Sequence, residues 1–257
     1  MTQSIKKTNN SNSSPLVSLL PNIVTLASLC IALSAIRFAI HQDFDKSLIF
    51  LLLAGFMDGV DGRLARYLNS TSEFGAQLDS LVDFVNFGVV PTFVVYSWIN
   101  YSYEIKFFDW AMVLFFAVCT AIRLARFNVD LTSDEESNPL LKKYFFKGIP
   151  APVGAVLSLL PMVISQEFGL GFYSNPYLVI SYVFLIAMMM ASTIPTLSIK
   201  KISIRNDYTS LTLLGLALII IGLLIKPWFT LAFIGTIYIL TMPLIIYLYY
   251  SIKSKNV

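Results

Sequence analysis

Eight apolar stretches divide this sequence, and each is long enough, or nearly so, to cross a lipid bilayer as an α-helix. They cover residues 16–38, 46–63, 81–100, 109–127, 150–167, 176–196, 208–225 and 228–250. Only 13% of the residues are charged, which is about half the usual share in a globular protein. Backbone polar groups inside a bilayer must be satisfied within the segment, as they are in a helix. The sequence therefore predicts an all-α, polytopic integral membrane helix bundle with about eight transmembrane helices.

The distribution of lysine and arginine predicts the orientation of this bundle. If the N-terminus lies in the cytoplasm and eight helices alternate in direction, 14 of the 18 basic residues fall on the cytoplasmic side and 4 on the outer side. Basic residues prefer cytoplasmic loops, so we expect both termini to be cytoplasmic. The polar residues 1–14 are expected to form a disordered tail. We expect a bacterial plasma membrane, because no organelle address is recognisable.

Four aspartates interrupt this apolar chain at the ends of two neighbouring helices. Asp58 and Asp61 are three residues apart and share one face of the second helix, while Asp79 and Asp83 are four apart and share a face at the start of the third. The link 68–74 is short and polar, which favours an antiparallel hairpin. The four carboxylates are therefore expected to converge near the cytoplasmic surface.

Such convergence is costly, because acidic groups in a membrane helix are unfavourable and like charges repel. Bound divalent cations reduce the cost, and carboxylate oxygens suit Mg²⁺ or Mn²⁺. No histidine or cysteine lies nearby, which argues against zinc. Four small residues interleaved with the acids leave room for a ligand, namely Gly59, Gly62, Ala65 and Gly75.

Two metal ions held by carboxylates favour phosphoryl transfer, because the ions can neutralise the charge of a pyrophosphate and its leaving group. Two other interpretations remain open at this point. Intramembrane acids also mark the ion pathways of coupled transporters. The acids could instead form a polar helix contact in which Arg63 and Arg66 are the counter-ions. Nothing in the sequence indicates nucleic-acid binding, because it has no concentrated basic stripe on a soluble domain.

The spacing of the acids resembles a known signature. The chain reads DGVDGRLAR, then eight residues, then GAQLDSLVD. This is similar to the motif of the CDP-alcohol phosphatidyltransferase family, D-x2-D-G-x2-A-R-x7–8-G-x3-D-x3-D, and every fixed position is present. The resemblance implies that an alcohol hydroxyl attacks the phosphorus of a CDP-linked lipid and that CMP leaves.

The same resemblance implies roles for individual residues. The four aspartates would hold a site for two metal ions, and Asp83 would also be the general base for the alcohol. The CDP moiety would be bordered by Gly62, Ala65, Arg66 and Gly75. Asn22 and Thr25, three residues apart in the first span, are expected to face the diphosphate, with a helix-to-helix hydrogen bond as the alternative.

Three further stretches resemble one branch of the family, which transfers the phosphatidyl group of CDP-diacylglycerol to L-serine. They are LLPNIVTLAS, RLARFNV and FKGIPAPVGA, and in the first of them Ser28 stands where related chains often have Asn. The resemblance implies a core over residues 15–200, a two-helix C-terminal extension over 201–257, and a homodimer surrounded by membrane lipids.

Cationic residues in the second and third of these stretches provide a candidate acceptor site. Arg123 and Arg126 share a helix face, Lys147 follows on the next inner loop, and a guanidinium can hold the carboxylate of serine by two hydrogen bonds. The same cations could bind glycerol-3-phosphate or the phosphate of a membrane lipid, or could simply follow the preference of basic residues for the cytoplasmic side.

Overall fold

The computed structural model describes residues 15–102, 107–132, 145–169, 175–197 and 209–255, and these are helical apart from turns and one small sheet. The helices are α1 (Pro15–Ile40), α2 (Phe44–Tyr67), α3 (Glu73–Phe84), α4 (Val90–Ser102), α5 (Phe108–Thr132), α6 (Ala151–Phe168), α7 (Pro176–Ala191), α8 (Thr209–Ile225) and α9 (Pro227–Lys255). A five-residue π-helix, Val85–Val89, joins α3 to α4. The tail predicted over residues 1–14 lies outside the described residues.

Two short strands form the sheet, which the all-α expectation did not include. Strand β1 (Phe145–Lys147) precedes α6 and strand β2 (Pro195–Leu197) follows α7. They pair antiparallel, with Lys147 opposite Pro195. The sheet thus ties the entrance of α6 to the exit of α7.

Five helical segments within the described ranges are long and apolar enough to cross a membrane. They are Leu19–Ile40, Glu73–Tyr101, Phe108–Val129, Ala151–Phe168 and Pro227–Tyr249. Helix α2 has 24 residues, but its second half carries the acids and arginines of the motif. Helix α7 and the apolar part of α8 are shorter. The predicted helical membrane bundle is confirmed, whereas eight crossings and cytoplasmic termini stay predictions.

Two predicted apolar spans differ from the helices that contain them, and local chemistry explains both differences. The third apolar span was predicted to begin at 81, but its helix already begins at Glu73, because Ser72 caps it by accepting a hydrogen bond from the backbone N–H of Gly75. Its polar first turns carry no hydropathy signal. The sixth predicted span extended to 196, but α7 ends at Ala191 and the chain then becomes extended. Pro195 lacks the backbone N–H that a continuing helix needs.

Small residues allow the first two helices to pack closely along their length. Ala32, Ala35 and Ala39 recur on one face of α1 and are buried. The Ser47 hydroxyl of α2 donates to the Ala35 carbonyl of α1 at 2.9 Å. Helix α3 also packs against α1 and α5, and α9 packs against α6 and β2. This arrangement brings α1, α2, α3 and α5 together around the acidic residues.

Candidate active site

A tight turn joins α2 to α3, while the predicted antiparallel packing of these two helices stays a prediction. Asn69 adopts a left-handed conformation with φ of +50°, which Asn tolerates better than most residues. The Ser70 N–H donates to the Ala65 carbonyl at 2.9 Å, so the last turn of α2 is closed. The second pair of aspartates is thereby folded back beside the first.

Three of the four aspartates converge on either side of this turn. Each of Asp58, Asp61 and Asp79 offers a carboxylate oxygen, and these three oxygens lie within 4.8 Å of one another. Asp61 is only 3% exposed. The carboxyl of Asp83, one helical turn beyond Asp79, lies outside this triad but within hydrogen-bonding reach of Asp58. The structure therefore brings all four predicted acids into one cluster.

The cluster has the properties of a divalent-cation site. Asp58 Oδ1 is buried and has no hydrogen-bond partner among the described residues. A buried carboxylate oxygen without a partner is unfavourable, and so is the mutual repulsion of close carboxylates. A hard cation would relieve both, and the donor set consists of the oxygens that Mg²⁺ and Mn²⁺ prefer. The residues present thus fit the metal that the sequence predicted.

Helix α1 supports the acid cluster through a buried hydrogen bond. The Thr25 hydroxyl lies 2.6 Å from Asp61 Oδ2 and 3.0 Å from the Pro21 carbonyl. Thr25 is 4% exposed, so water cannot replace this contact. The structure thus contains the helix-to-helix bond that was the alternative for Thr25, and the expected contact with a diphosphate stays a prediction.

Sequence reasoning missed Asn86, a buried polar residue of the π-helix. Its side-chain amide donates to the Ser28 hydroxyl at 3.1 Å, and Ser28 donates to the Thr25 carbonyl at 2.7 Å. Asn86 is also an electrostatic neighbour of Asp58. Ser28, which was noted only as a departure from related chains, thus links Asn86 to the segment that holds Asp61. An asparagine three residues after Asp83 in an apolar span was the available signal.

The small residues predicted to border a ligand occupy two different environments. A Cβ atom added at Gly59 or at Gly62 would meet no described atom within 4 Å, so there is open space beside the acids. A Cβ at Gly75 would lie 3.0 Å from Asn22 Oδ1, so this glycine allows α1 and α3 to approach. Ala65 is half-buried, and Arg66 is exposed beside the open face.

The two arginines of α5 hydrogen-bond backbone carbonyls at the start of α6 and at the end of α7. Arg123 Nε donates to the Ile149 carbonyl at the start of α6. Arg126 Nη1 donates to the carbonyls of Ala191 and Ser192, at 2.8 and 3.2 Å, where α7 ends. The Arg123 charge also interacts with Asp83. Arg123 therefore borders the acid cluster, and each guanidinium has further N–H donors with which to hold an anion.

Lys147 lies at the end of β1, next to this region. Its backbone pairs with Pro195, and its side chain is outside the described part of the structure. Its predicted contact with an acceptor therefore stays a prediction.

Comparison with known proteins identifies the family to which this geometry belongs. Residues 18–197 match the family model described as CDP-alcohol phosphatidyltransferase. The chain belongs to this family. A second model, described as CDP-alcohol phosphatidyltransferase 2, matches residues 207–243. The family inferred from the aspartate spacing is confirmed, and the chain is a membrane-bound member of this transferase family.

Three similar relatives bear the name CDP-diacylglycerol–serine O-phosphatidyltransferase. The Mycobacterium tuberculosis protein is 32% identical over 225 residues, which cover 88% of this chain and 77% of the relative. The Helicobacter pylori protein is 32% identical over 203 residues, covering 79% and 82%. The Bacillus subtilis protein is 27% identical over 187 residues, covering 73% and 94%.

Proposed function

We propose that this phosphatidyltransferase is a phosphatidylserine synthase. It transfers the phosphatidyl group of CDP-diacylglycerol to the hydroxyl of L-serine and releases CMP. The observation that carries the proposal is the convergence of Asp58, Asp61 and Asp79, with Asp83 beside them, in a chain similar to proteins named for this reaction.

The four aspartates have different roles in this reaction. Asp58, Asp61 and Asp79 hold a divalent cation, Mg²⁺ or Mn²⁺, and Asp83 completes a site for two such ions. A bound cation of this kind neutralises charge on the pyrophosphate and on the departing CMP. Thr25 fixes one carboxylate oxygen of Asp61, so this ligand is oriented before the substrates arrive.

Asp83 takes the proton of the serine hydroxyl. The serine oxygen forms a bond to the β-phosphorus of CDP-diacylglycerol, the bond from that phosphorus to the bridging oxygen breaks, and CMP leaves with the bond electrons. The Arg123 charge interacts with Asp83, so a serine carboxylate bound there would bring its hydroxyl towards the base. Arg126 and Lys147 add positive charge to the same acceptor site.

The nucleotide occupies the open face of the hairpin. Gly62 and Ala65 leave room beside the acids, and the exposed Arg66 offers a cation to a phosphate. Gly75 and the neighbouring Asn22 form the opposite border of the CDP site, and Thr25 lies one helical turn beyond Asn22.

Transfer proceeds by direct in-line displacement. The one histidine of the sequence, His41, lies in the turn before α2, whereas Asp58 and Asp61 lie near the other end of that helix. A Ser–His or Cys–His pair that could form a covalent intermediate is therefore not available at the acids. A single displacement inverts the configuration at phosphorus, and retention measured with a chiral phosphorus substrate would contradict it.

The proposed setting is the inner membrane of a bacterium, with the acids facing the cytoplasm. Eight crossings with both termini inside are supported by the 14 to 4 distribution of basic residues. A core over 15–200 and an extension over 201–257 are supported by the two matched stretches, 18–197 and 207–243. The homodimer rests on the family resemblance.

The test uses purified protein in mixed micelles with CDP-diacylglycerol, Mg²⁺ or Mn²⁺, and one alcohol at a time. CMP release and the lipid product are both measured. We expect phosphatidylserine with serine, and loss of this product in Asp61→Asn but not in Asp45→Asn, which changes an exposed acid at the other end of the same helix. Release of CMP only with glycerol-3-phosphate or choline would refute serine as the acceptor. If no alcohol led to CMP release, the result would favour an ion-coupled transporter.

A further inference from the structure

Two buried hydrogen bonds connect α1 to the two segments that carry the aspartates. On one side, the Thr25 hydroxyl donates to Asp61 of α2 at 2.6 Å. On the other side, the Asn86 amide of the π-helix donates to the Ser28 hydroxyl at 3.1 Å. Thr25 and Ser28 are three residues apart and share one face of α1. Helix α1 therefore bridges the segments that precede and follow the turn at Asn69.

Ser28 is fully buried and oriented to accept the bond from the π-helix. Its hydroxyl donates to the Thr25 carbonyl at 2.7 Å. Because a hydroxyl has a single proton, its lone pairs stay available to the Asn86 amide. The bond to the π-helix is thus made at the same turn of α1 that holds Asp61.

Asn86 is a polar side chain in the interior of an apolar bundle. It is 2% exposed, and its Oδ1 accepts no hydrogen bond from any described residue. A buried amide with part of its hydrogen-bonding capacity unused is unfavourable. An apolar side chain would avoid this penalty, so we attribute the presence of the amide to the bond that it makes with Ser28.

The π-helix that carries Asn86 also lies against α2. A Cβ added at Gly55 of α2 would lie 3.5 Å from Cε1 of the Phe87 ring, which is ordinary van der Waals contact. Gly55 lies about one helical turn before Asp58. Asn86 lies about one helical turn after Asp83. A shift of the π-helix relative to α1 would therefore change the separation of the two pairs of aspartates.

We propose that α1 sets the distance between the two pairs of aspartates, and that Ser28 and Asn86 are positioning residues for the metal site. Both act through the helices rather than through contact with the ion. Thr25 holds the pair on α2, the bond from Asn86 to Ser28 holds the pair on α3, and high metal affinity requires both bonds together. This inference rests on the proposed function, since it takes the aspartates as metal ligands.

The test measures Mn²⁺ binding to purified protein in detergent, without substrates, from the electron paramagnetic resonance signal of the free ion. We expect the dissociation constant to rise about fivefold in Asn86→Leu and in Ser28→Ala, the usual effect of losing one buried hydrogen bond between neutral groups. Thr120→Val is the matched control, because the buried Thr120 hydroxyl lies beside Gly88 of the π-helix but donates within α5, to the Phe116 carbonyl. Its dissociation constant should stay within about twofold of the wild-type value. Thermal midpoints establish that all variants fold.

A double-mutant cycle with Thr25→Val separates positioning from local packing. If α1 aligns the two pairs of aspartates, this alignment is already lost in Thr25→Val, and adding Asn86→Leu should change the Mn²⁺ dissociation constant by less than about twofold. If the two bonds act independently, the effect of about fivefold persists in the Thr25→Val background. Such persistence, or wild-type affinity in both Asn86→Leu and Ser28→Ala, would overturn the proposal.

The failure of this proposal can be distinguished from failure of the proposed function. If wild-type protein binds Mn²⁺ and Asn86→Leu has the affinity of Thr120→Val, only the roles of Ser28 and Asn86 are refuted. If wild-type protein binds no Mn²⁺, the metal site of the proposed function is refuted, and these two roles are refuted with it. The lipid product of the wild-type protein tests the acceptor separately.

Discussion

Replacing Thr25 with valine should weaken the affinity of the enzyme for its metal without unfolding it. Valine has nearly the same shape as threonine but lacks the hydroxyl, which lies 2.6 Å from Asp61 Oδ2. Thr25 is 4% exposed, so a water molecule has no space to take the place of the hydroxyl. The Asp61 carboxylate would then lose the hydrogen bond to its Oδ2 and keep the one that Oδ1 accepts from the Gly62 N–H.

The size of the effect follows from the kind of bond. A hydrogen bond to a charged group contributes about 1.5–3 kcal/mol. A loss of about 2 kcal/mol corresponds to a change of about 30-fold in an equilibrium constant. This agrees with the 10–100-fold loss of metal affinity or activity that is typical when a group supporting a metal ligand is removed. We therefore expect the Mg²⁺ or Mn²⁺ concentration at half-maximal rate to rise by about 30-fold.

The assay measures CMP release against metal concentration at saturating CDP-diacylglycerol and serine. Thr25→Ser is the matched control, because it keeps the hydroxyl and removes only a methyl group. Its half-saturating concentration should stay near the wild-type value. The thermal midpoint of Thr25→Val establishes that this variant is folded. If its half-saturating metal concentration were also within about twofold of the wild-type value, the hydrogen bond from α1 would not orient the acid cluster.

Three further predictions concern the base, the π-helix and the packing. Asp83→Asn should abolish CMP release while leaving the thermal midpoint within a few degrees of wild type, and a near-native rate would remove Asp83 as the base. Asn86→Leu should lower activity at least about tenfold, because Ser28 loses its buried donor, and unchanged kinetics would show that this bond is dispensable. Gly154→Val should destabilise the protein by about 1–3 kcal/mol, because a Cβ there would lie 2.2 Å from Met190 Sδ. Gly215→Ala should leave the stability unchanged, because a Cβ added at Gly215 would meet no described atom within 4 Å. Equal thermal midpoints of the two variants would contradict this packing argument.

Much of this fold could be predicted from local patterns in the sequence. Each apolar stretch became helix because a chain in lipid has to satisfy its own backbone hydrogen bonds. The ends of helices that hydropathy did not locate lie in polar segments or at the end of an apolar stretch. Glu73 begins a helix whose first turns carry no apolar signal, and Pro195 belongs to a strand that exists only because β1 lies beside it.

The acid cluster was predictable because its members are close in sequence and joined by one short turn. Spacings of three and four residues fix a common helix face, and the turn at Asn69 brings the two faces together. The residues that support the cluster were not predictable in the same way. Thr25 and Asn86 are far from Asp61 along the chain, and only the packing of α1 against α2 and α3 brings them near it.

The sequence by itself thus determined a helical membrane protein, its family, and the four carboxylates that we propose carry the chemistry. Composition, periodicity and spacing are local properties, and each of these conclusions depends on residues close together in the chain. The tertiary structure decided that Thr25 bonds Asp61 and that the arginines of α5 bond backbone carbonyls at the start of α6 and the end of α7. These contacts join residues far apart in sequence, and their partners are set by helix packing rather than by any local pattern.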